Sequence, residues 1–332
     1  MKFFDRKKPF ILDGGLATEI ARLGFDLNHP LWSARALKES PEMIFEAHLN
    51  FLKAGAEILL TSSYQASVSG FRAHGMYDRE ARETIFSSVM LACYARDKYW
   101  EQQGQEQGHE FNDSTRPELS QRKKILIGGS CGPFSAILAD GSEYKEMSEP
   151  EEKSFYLNHY KNEVLDYYQN KIEVLLAPRK NFKCDFLAFE TLPSAFEAEL
   201  ISQMMMKYRN AKYWLSFTNL NSALKAVKKM AQNPQVIGFG LNCVSIEKAC
   251  EGALQLEPLV KNSVSGSLVL YPNSGAQYDK DQKKWISHPS HSTDWAQAAQ
   301  QMKSLQAQVI GGCCEVTSRE IQTISSALSY KP

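Results

Sequence analysis

The sequence lacks a long apolar run, because no stretch approaches the roughly 20 residues that a membrane span requires. Its first eight residues, Met1–Lys8, also lack the apolar core of a signal peptide. We therefore expect a cytoplasmic protein with no membrane partner. Neither charge is in excess, since lysine plus arginine and aspartate plus glutamate each number 38, and no local basic block is evident. These features argue against a nucleic-acid partner.

Motifs of several common enzyme classes are also missing. The seven histidines occur in neither H-x-H nor H-E-x-x-H spacing, which disfavours a histidine-zinc hydrolase. The glycine-rich stretch 128–132 matches neither the dinucleotide-binding nor the phosphate-loop fingerprint, so no separate nucleotide-binding domain is expected. With 43% apolar and 23% charged residues, the chain is instead typical of a globular protein with a sizeable core.

What the sequence does contain is a series of short apolar runs that alternate with helical patterns. Near-continuous apolar strands of this kind are typical of parallel strands that are buried on both faces. Eight such units over 332 residues favour an α/β fold, a (β/α)8 TIM barrel, with a doubly wound open sheet as the alternative. The runs are 9–12, 57–61, 124–129, 186–190, 213–218, 236–243, 267–271 and 307–310.

Chemically unusual residues follow these strands repeatedly, which favours the barrel over the open sheet. In a barrel the carboxyl ends of all strands meet at one mouth, where active sites are built. The residues in question are Asp13, Thr61, Cys131, Glu190, Cys243 and Cys313. Cys131 is also interpreted as a packed residue at the end of its strand, because free cysteines are commonly buried.

No linker or internal repeat divides the chain, so we predict one domain over residues 1–332. The stretch at about 101–123 is rich in glutamine, glutamate, serine and glycine and poor in apolar residues. Such a composition predicts a polar surface loop inserted into the barrel, to which we assign no chemistry.

Cys313 and Cys314 are neighbouring thiols that follow two glycines, Gly311 and Gly312. On a strand, successive side chains point to opposite faces, so both thiols can converge only where the backbone leaves strand geometry. The glycines provide that freedom. A vicinal disulfide is one explanation, but seven cysteines in a reducing compartment argue against a disulfide framework and for a metal site beside buried thiols.

Cys243 ends the sixth predicted strand and provides a third thiolate at the same mouth. Three thiolates fit a zinc ion at about 2.3 Å each and leave the fourth tetrahedral position open, which indicates catalysis rather than bracing. Taken alone, Cys243 could equally be a small buried residue beneath a loop. Cys93, Cys184 and Cys250 fall in helices or connections and are interpreted as structural.

These residues together resemble the homocysteine S-methyltransferase family over nearly the whole chain. The motifs are specific as an ordered set, although the glycine motifs alone would be weak evidence. They are DGG at 13–15, PLWSA at 30–34, TSSYQA at 61–66, GPF at 132–134, LADGSEY at 138–144, FETLP at 189–193, NC at 242–243, YPNSG at 271–275 and GGCC at 311–314.

The resemblance implies a zinc-dependent barrel enzyme that moves a methyl group from an onium donor to the sulfur of homocysteine, giving methionine. Within the family, the chain is similar to the branch whose members use S-methylmethionine, and sometimes S-adenosylmethionine, rather than betaine or folate. The implied partners are these small molecules, and no oligomeric state is predicted. Carried over position by position, Cys243, Cys313 and Cys314 match the ligands of one Zn²⁺ per chain.

The resemblance also implies a set of substrate-binding residues. Asp13 and Glu190 match the carboxylates that hold the amino group of homocysteine, while Gly14 and Thr61 stand where backbone groups receive its carboxylate. Asn242, beside the first predicted zinc ligand, belongs to the predicted substrate site. An alternative for Asp13 is a cap of the first helix.

The methyl-donor side of the site is predicted less completely. Trp32 could lie against the sulfonium, where a cation–π contact is worth roughly 0.5–2 kcal/mol, or could pack the first helix against the barrel. Thr191 follows Glu190 where betaine-using relatives have a tyrosine, and Ala276 stands where a glutamate is frequent in the family.

Three other functions compete with this interpretation. One is a zinc- or thiol-binding protein without turnover, and another is a barrel methyltransferase with a different thiol acceptor. A third is a thiol oxidoreductase that uses Cys313 and Cys314.

Overall fold

The computed structural model describes residues 3–4, 7–106, 125–138, 149–177, 179, 181–275, 277–279, 284–286 and 294–329. Its centre is a sheet of eight parallel strands. The strands are β1 Phe10–Ile11, β2 Ile58–Leu60, β3 Leu126–Cys131, β4 Phe186–Leu192, β5 Tyr213–Phe217, β6 Val236–Asn242, β7 Ser267–Tyr271 and β10 Val309–Ile310. Their order in the sheet is β1-β10-β7-β6-β5-β4-β3-β2.

The two ends of this sheet join, which confirms the barrel and excludes the open sheet. A parallel bridge pairs Leu12 with Ile58, directly after β1 and at the start of β2. The Asp13 amide donates to the Ile58 carbonyl at 3.1 Å, and the Glu57 amide donates to the Ile11 carbonyl at 2.7 Å. The chain therefore folds as the predicted (β/α)8 TIM barrel.

Helices follow the strands and cover the outside of the barrel. They are α1 Leu16–Arg22, α2 Ala36–Glu39, α3 Pro41–Lys53, α4 Val68–Ala73, α5 Asp78–Glu106, α6 Glu149–Lys153, α7 Lys161–Leu175, α8 Ala195–Met205, α9 Leu220–Met230, α10 Ile246–Lys261, α11 Trp295–Ser304 and α12 Ser318–Ser329. Gly55, which follows the end of α3, has a φ of +98°, a backbone conformation that favours glycine. Within the described ranges, no helix is both long and apolar enough to span a bilayer.

The interior of the barrel is apolar at the end where the strands begin. Phe4 reaches this end and is buried, with ring centroids 6.0 Å from Phe186 and 6.2 Å from Trp214. Leu12, Ile58, Val269 and other inward-facing residues complete the same buried cluster. Because this end is filled by side chains, polar chemistry is confined to the opposite end, where the strands finish.

Two features differ from the sequence-based expectations. Helix α5 continues to Glu106, so residues 101–106 of the predicted polar loop are helical, and 107–123 lie outside the described residues. A short antiparallel hairpin, β8 Gln277–Asp279 and β9 Lys284–Ile286, was not predicted between β7 and α11. The single-domain interpretation stays a prediction.

Candidate metal and substrate site

The three cysteines predicted to bind zinc converge at the mouth of the barrel. Cys243 directly follows β6, whereas Cys313 and Cys314 lie in the loop after β10. The Sγ of Cys314 is 3.8 Å from that of Cys243 and 3.9 Å from that of Cys313. Cys243 and Cys313 are joined as a disulfide, with Cα atoms 5.7 Å apart. This pairing differs from the vicinal disulfide considered from the sequence, and its Cα separation is usual for such a bond.

The donor set fits a zinc ion once the disulfide is reduced. A tetrahedron with zinc–sulfur bonds of about 2.3 Å separates its sulfur atoms by roughly 3.8 Å. Both separations that involve Cys314 agree with this value. Thiolates are the soft ligands that zinc accepts readily, and the described residues contain this one cluster of three metal-ligating side chains.

Close packing, rather than left-handed backbone geometry, explains the two glycines before the cysteine pair. Neither has a positive φ, in contrast to Cys243 at +52° and Glu315 at +61°. A Cβ on Gly312 would lie 2.2 Å from Cγ1 of Val316. The loop needs glycine because the neighbouring chain leaves no room for a side chain.

Asn242 and Thr191 contact the cysteines from the ends of β6 and β4, two strands that are separated by β5. The Asn242 side-chain amide donates to Thr191 Oγ1, and its Oδ1 accepts from the Thr191 amide, both at 2.8 Å. Thr191 Oγ1 lies 3.9 Å from Cys243 Sγ, and Asn242 Nδ2 lies 4.0 Å from Cys313 Sγ. Both groups can donate to sulfur, so they help to fix the positions of Cys243 and Cys313. Contact of Asn242 with substrate stays a prediction.

Asp13 and Glu190 are buried carboxylates at the same mouth. Asp13 Oδ2 accepts from the Leu60 amide at 2.8 Å, whereas α1 begins after Gly15 without a side-chain cap. The alternative helix-cap role of Asp13 is therefore wrong. Glu190 accepts hydrogen bonds from the hydroxyls of Ser130 and Tyr271.

Both carboxylates have raised pKa values, and burial is the largest cause. Burial raises the pKa of Glu190 to about 7, against the opposing effect of its hydrogen bonds with Ser130 and Tyr271. The pKa of Asp13 is raised well above its usual range by burial and, in addition, by the charge of Glu190. The pair is thus near in space and short of positive charge, which suits a site for a cation.

Thr61 and Gly14 lie beside these carboxylates. The Thr61 hydroxyl accepts from the Ser130 amide at 2.9 Å and contacts Ser63 Oγ at 2.7 Å. Its backbone amide donates to the Gly128 carbonyl at 2.9 Å, so this amide is already used within the sheet. A Cβ on Gly14 would lie 2.4 Å from the Val316 carbonyl oxygen. Their predicted contacts with the substrate carboxylate stay predictions.

The remaining predicted residues belong to neither the cysteine cluster nor the carboxylate pair. Trp32 is half-buried at the start of the short helix Trp32–Arg35, and its contact with a donor stays a prediction. Cys131 is fully buried, and burial raises its thiol pKa to about 12, which confirms the interpretation as a packed strand-end residue. Ala276 and residues 139–144 of the LADGSEY motif lie outside the described residues.

Four residues at or near the site were not identified from the sequence as site residues. Ser130 and Tyr271 contact Glu190, and Thr191 contacts Asn242 and Cys243. Each lies at the end of a strand, and that position was the signal available for them. Lys171 lies in α7 and interacts electrostatically with Glu190. No strand-end pattern could have indicated it.

Comparison with known proteins identifies a family to which nearly the whole chain is similar. The family model described as homocysteine S-methyltransferase matches residues 10–328. Homocysteine S-methyltransferase of Escherichia coli K12 is 34% identical over 97% of this chain and 96% of its own. A selenocysteine Se-methyltransferase of Brassica oleracea is 32% identical over 96% of this chain and 88% of its own.

A solved structure gives the same result. The metallated form of the homocysteine methyltransferase MmuM from Escherichia coli superimposes with a TM-score of 0.72 at 30% identity. The match covers 96% of each chain. The barrel and the arrangement of its elements are therefore common to both proteins.

Proposed function

The chain belongs to the homocysteine S-methyltransferase family and is a methyltransferase, and from this premise we propose a specific reaction. The protein transfers a methyl group from a sulfonium donor, S-methylmethionine or S-adenosylmethionine, to the sulfur of homocysteine, using one zinc ion per chain. The observation that carries the proposal is the convergence of three cysteine sulfurs with a buried carboxylate pair at one barrel mouth.

The cysteines supply the metal site in this account. Zinc held by Cys243, Cys313 and Cys314 would keep the acceptor sulfur as a thiolate at neutral pH, where a free thiol is mostly protonated. The Thr191 hydroxyl and the Asn242 amide donate toward the cysteine sulfurs and fix their positions. All three cysteines must be reduced, so we propose a reducing, cytoplasmic location.

The carboxylates orient the acceptor. Asp13 and Glu190 receive the ammonium group of homocysteine, and their fixed hydrogen bonds to Leu60 and Ser130 set its direction. Holding one end of a small amino acid in this way brings its sulfur to a defined point, which lowers the entropic part of the barrier.

The transfer itself is a displacement at the methyl carbon. A bond forms between the acceptor sulfur and the methyl group while the bond from that group to the donor sulfonium breaks, and the donor leaves as a neutral thioether. Opposite charges cancel in this step, so a mouth that excludes water favours it over the separated ions. Trp32 is the proposed cation–π partner of the sulfonium.

A different acceptor is the second candidate, and one comparison favours it. The similar Brassica protein is named for methylation of selenocysteine, whose selenol is a close chemical analogue of a thiol. The same carboxylates and cysteines would serve such an acceptor without rearrangement.

We predict the following order of donors when methionine formation from homocysteine is measured in parallel reactions. S-methylmethionine and S-adenosylmethionine should both support turnover, and betaine should give much less product, because Thr191 stands where the resemblance leads us to expect a tyrosine in betaine-using relatives. In a matched set of reactions, selenocysteine replaces homocysteine as the acceptor, and formation of its methylated product is measured. Product from none of the donors would overturn the proposed reaction, and a strong preference for selenocysteine would favour the second candidate.

A further inference from the structure

Glu19 is a carboxylate of α1 that exposes none of its surface and has no part in the reaction proposed above. Its Oε1 accepts from Arg22 Nη2 at 2.6 Å and from Asn50 Nδ2 at 3.2 Å, and its Oε2 accepts from Arg22 Nε at 3.2 Å. Burying a charge is costly unless it is paired and hydrogen-bonded. The partners of Glu19 therefore indicate what this costly group holds in place.

Glu19 also bonds the beginning of α12, whose first residue is Ser318. The Ser318 amide donates to Oε2 of Glu19 and the Ser318 hydroxyl donates to Oε1, both at 3.1 Å. The unpaired amides at the start of a helix favour a negative charge beside them. Glu19 thus joins α1 to the segment of chain that comes directly after the cysteine pair.

The residue before it, Thr18, makes a second contact with this segment. Thr18 Oγ1 accepts from the amide of Glu315 at 3.1 Å. Glu315 directly follows Cys314 and has a φ of +61°, a conformation that is costly for a residue with a side chain. Nearby, the Gly15 amide donates to the Val316 carbonyl at 2.8 Å. These bonds hold a backbone conformation that the loop would not keep unaided.

The cysteine pair itself is held from the opposite side by the loop after β7. The Cys313 amide donates to the Pro272 carbonyl at 2.9 Å, and the Ser274 amide donates to the Cys314 carbonyl at 3.4 Å. The pair therefore lies between two supports, the loop after β7 and the segment 15–19. Because zinc requires its sulfur ligands at about 2.3 Å, the spacing of the thiolates depends on both supports.

We propose that Glu19, assisted by Thr18, is a positioning residue that anchors residues 315–318 and thereby keeps Cys313 and Cys314 at the spacing that zinc requires. This inference rests on the proposed function, because the metal site is part of it. Within the described part of the chain, no hydrogen bond joins Glu19 to a cysteine, so its effect passes through the loop.

Glu19→Gln tests this role with little change in size. Both oxygens of the carboxylate accept hydrogen bonds from Arg22, which can only donate. A glutamine has one acceptor oxygen, so in either orientation its amide nitrogen faces Arg22. The variant therefore loses the charge and at least one of the bonds that hold the carboxylate against Ser318.

The measurement is the zinc affinity of the reduced, full-length protein, determined with Zn²⁺ alone in competition with a chromogenic chelator. Disturbing groups that position metal ligands costs roughly 10–100-fold in affinity, so Glu19→Gln should bind zinc about tenfold more weakly or worse. Thr18→Val, which removes one acceptor, should weaken binding roughly 2- to 10-fold. Glu197→Gln, a change of the same kind at a buried carboxylate that bonds Tyr156 and Tyr168 instead, should leave the affinity within about twofold.

The melting temperature of the metal-free variants separates positioning from bracing. A lower melting temperature of Glu19→Gln with wild-type zinc affinity would mean that Glu19 only braces the fold, and the inference would be wrong. Equal weakening of zinc binding in Glu197→Gln would overturn it as well. Thr18→Val carries the test if Glu19→Gln does not fold. Reduced wild-type protein that binds no zinc would defeat the proposed function, whereas equal zinc affinity in wild type, Glu19→Gln and Thr18→Val would defeat this inference alone.

Discussion

Replacing Cys314 with serine is expected to remove both the bound zinc and the methyltransferase activity. Its sulfur lies 3.8 Å and 3.9 Å from the other two, so its loss leaves two thiolates for the metal. Changing residues that merely support metal ligands costs 10–100-fold in affinity or activity, and a ligand should cost more. We therefore expect zinc below about 0.1 per chain and a decrease in turnover of more than about 100-fold.

The matched control is Cys250→Ser. Cys250 is a buried cysteine of α10 that is not part of the metal cluster. This variant should keep about one zinc per chain and turn over near the wild-type rate, although it loses some stability through burial of a hydroxyl. Zinc content is measured by atomic emission on the preparation used for kinetics. Full zinc and full turnover in Cys314→Ser would remove Cys314 from the metal site.

The second large effect is expected for Glu190→Gln, which keeps the size of the side chain but removes its charge. Truncating one partner of a buried, hydrogen-bonded charge pair costs about 2–5 kcal/mol, so the KM for homocysteine should rise roughly 30- to 5,000-fold. Zinc content should be unchanged, because Glu190 is not part of the cysteine cluster. A non-catalytic metal-binding protein would be indifferent to this change.

The pH dependence gives the same prediction a second readout. Because burial raises the pKa of Glu190 to about 7, the carboxylate that binds ammonium is present above pH 7 and is lost as the pH falls below it. Wild-type kcat/KM for homocysteine should therefore fall below about pH 7, and this limb should be absent from Glu190→Gln.

The raised pKa of Glu190 also affects the stability of the empty protein. Between the ordinary glutamate pKa of 4.5 and about 7, the folded protein keeps a proton on Glu190 that the unfolded chain has already released. The free energy of unfolding therefore decreases as the pH rises through this window. Glu190→Gln is then expected to melt no lower than wild type at pH 8. Glu197→Gln is the matched buried control, because its carboxylate bonds Tyr156, Tyr168 and the Phe134 amide instead. It should leave the KM for homocysteine within about threefold, because none of these partners belongs to the acceptor site.

The barrel was predictable because its strands have a simple pattern. Parallel strands covered on both faces must be apolar throughout, so runs such as 236–243 are readable without any tertiary information. The meeting of Cys243 with Cys313 and Cys314 followed from the same pattern, since the topology brings all carboxyl ends of the strands to one mouth. Recognition of the family motifs added the substrate, which the pattern alone does not reveal.

What could not be predicted depends on contacts between elements that are distant in sequence. Lys171 lies on a helix where a lysine normally indicates a solvated face, yet α7 packs it beneath two loops. The role of Gly312 was also misread, because its close approach to Val316 depends on the path of the following loop. Likewise, the end of α5 was placed too early, because residues 101–106 have the polar composition of either a loop or an exposed helix.

The most direct test of the proposed function is a zinc titration of reduced, chelator-stripped protein, with methionine formation from homocysteine and S-methylmethionine as the readout. We predict no turnover without metal, followed by a linear rise that stops at one zinc per chain. The cysteines must be kept reduced throughout, since a Cys243–Cys313 disulfide removes two of the three thiolates. Full turnover in stripped, reduced protein that contains no zinc would contradict the account.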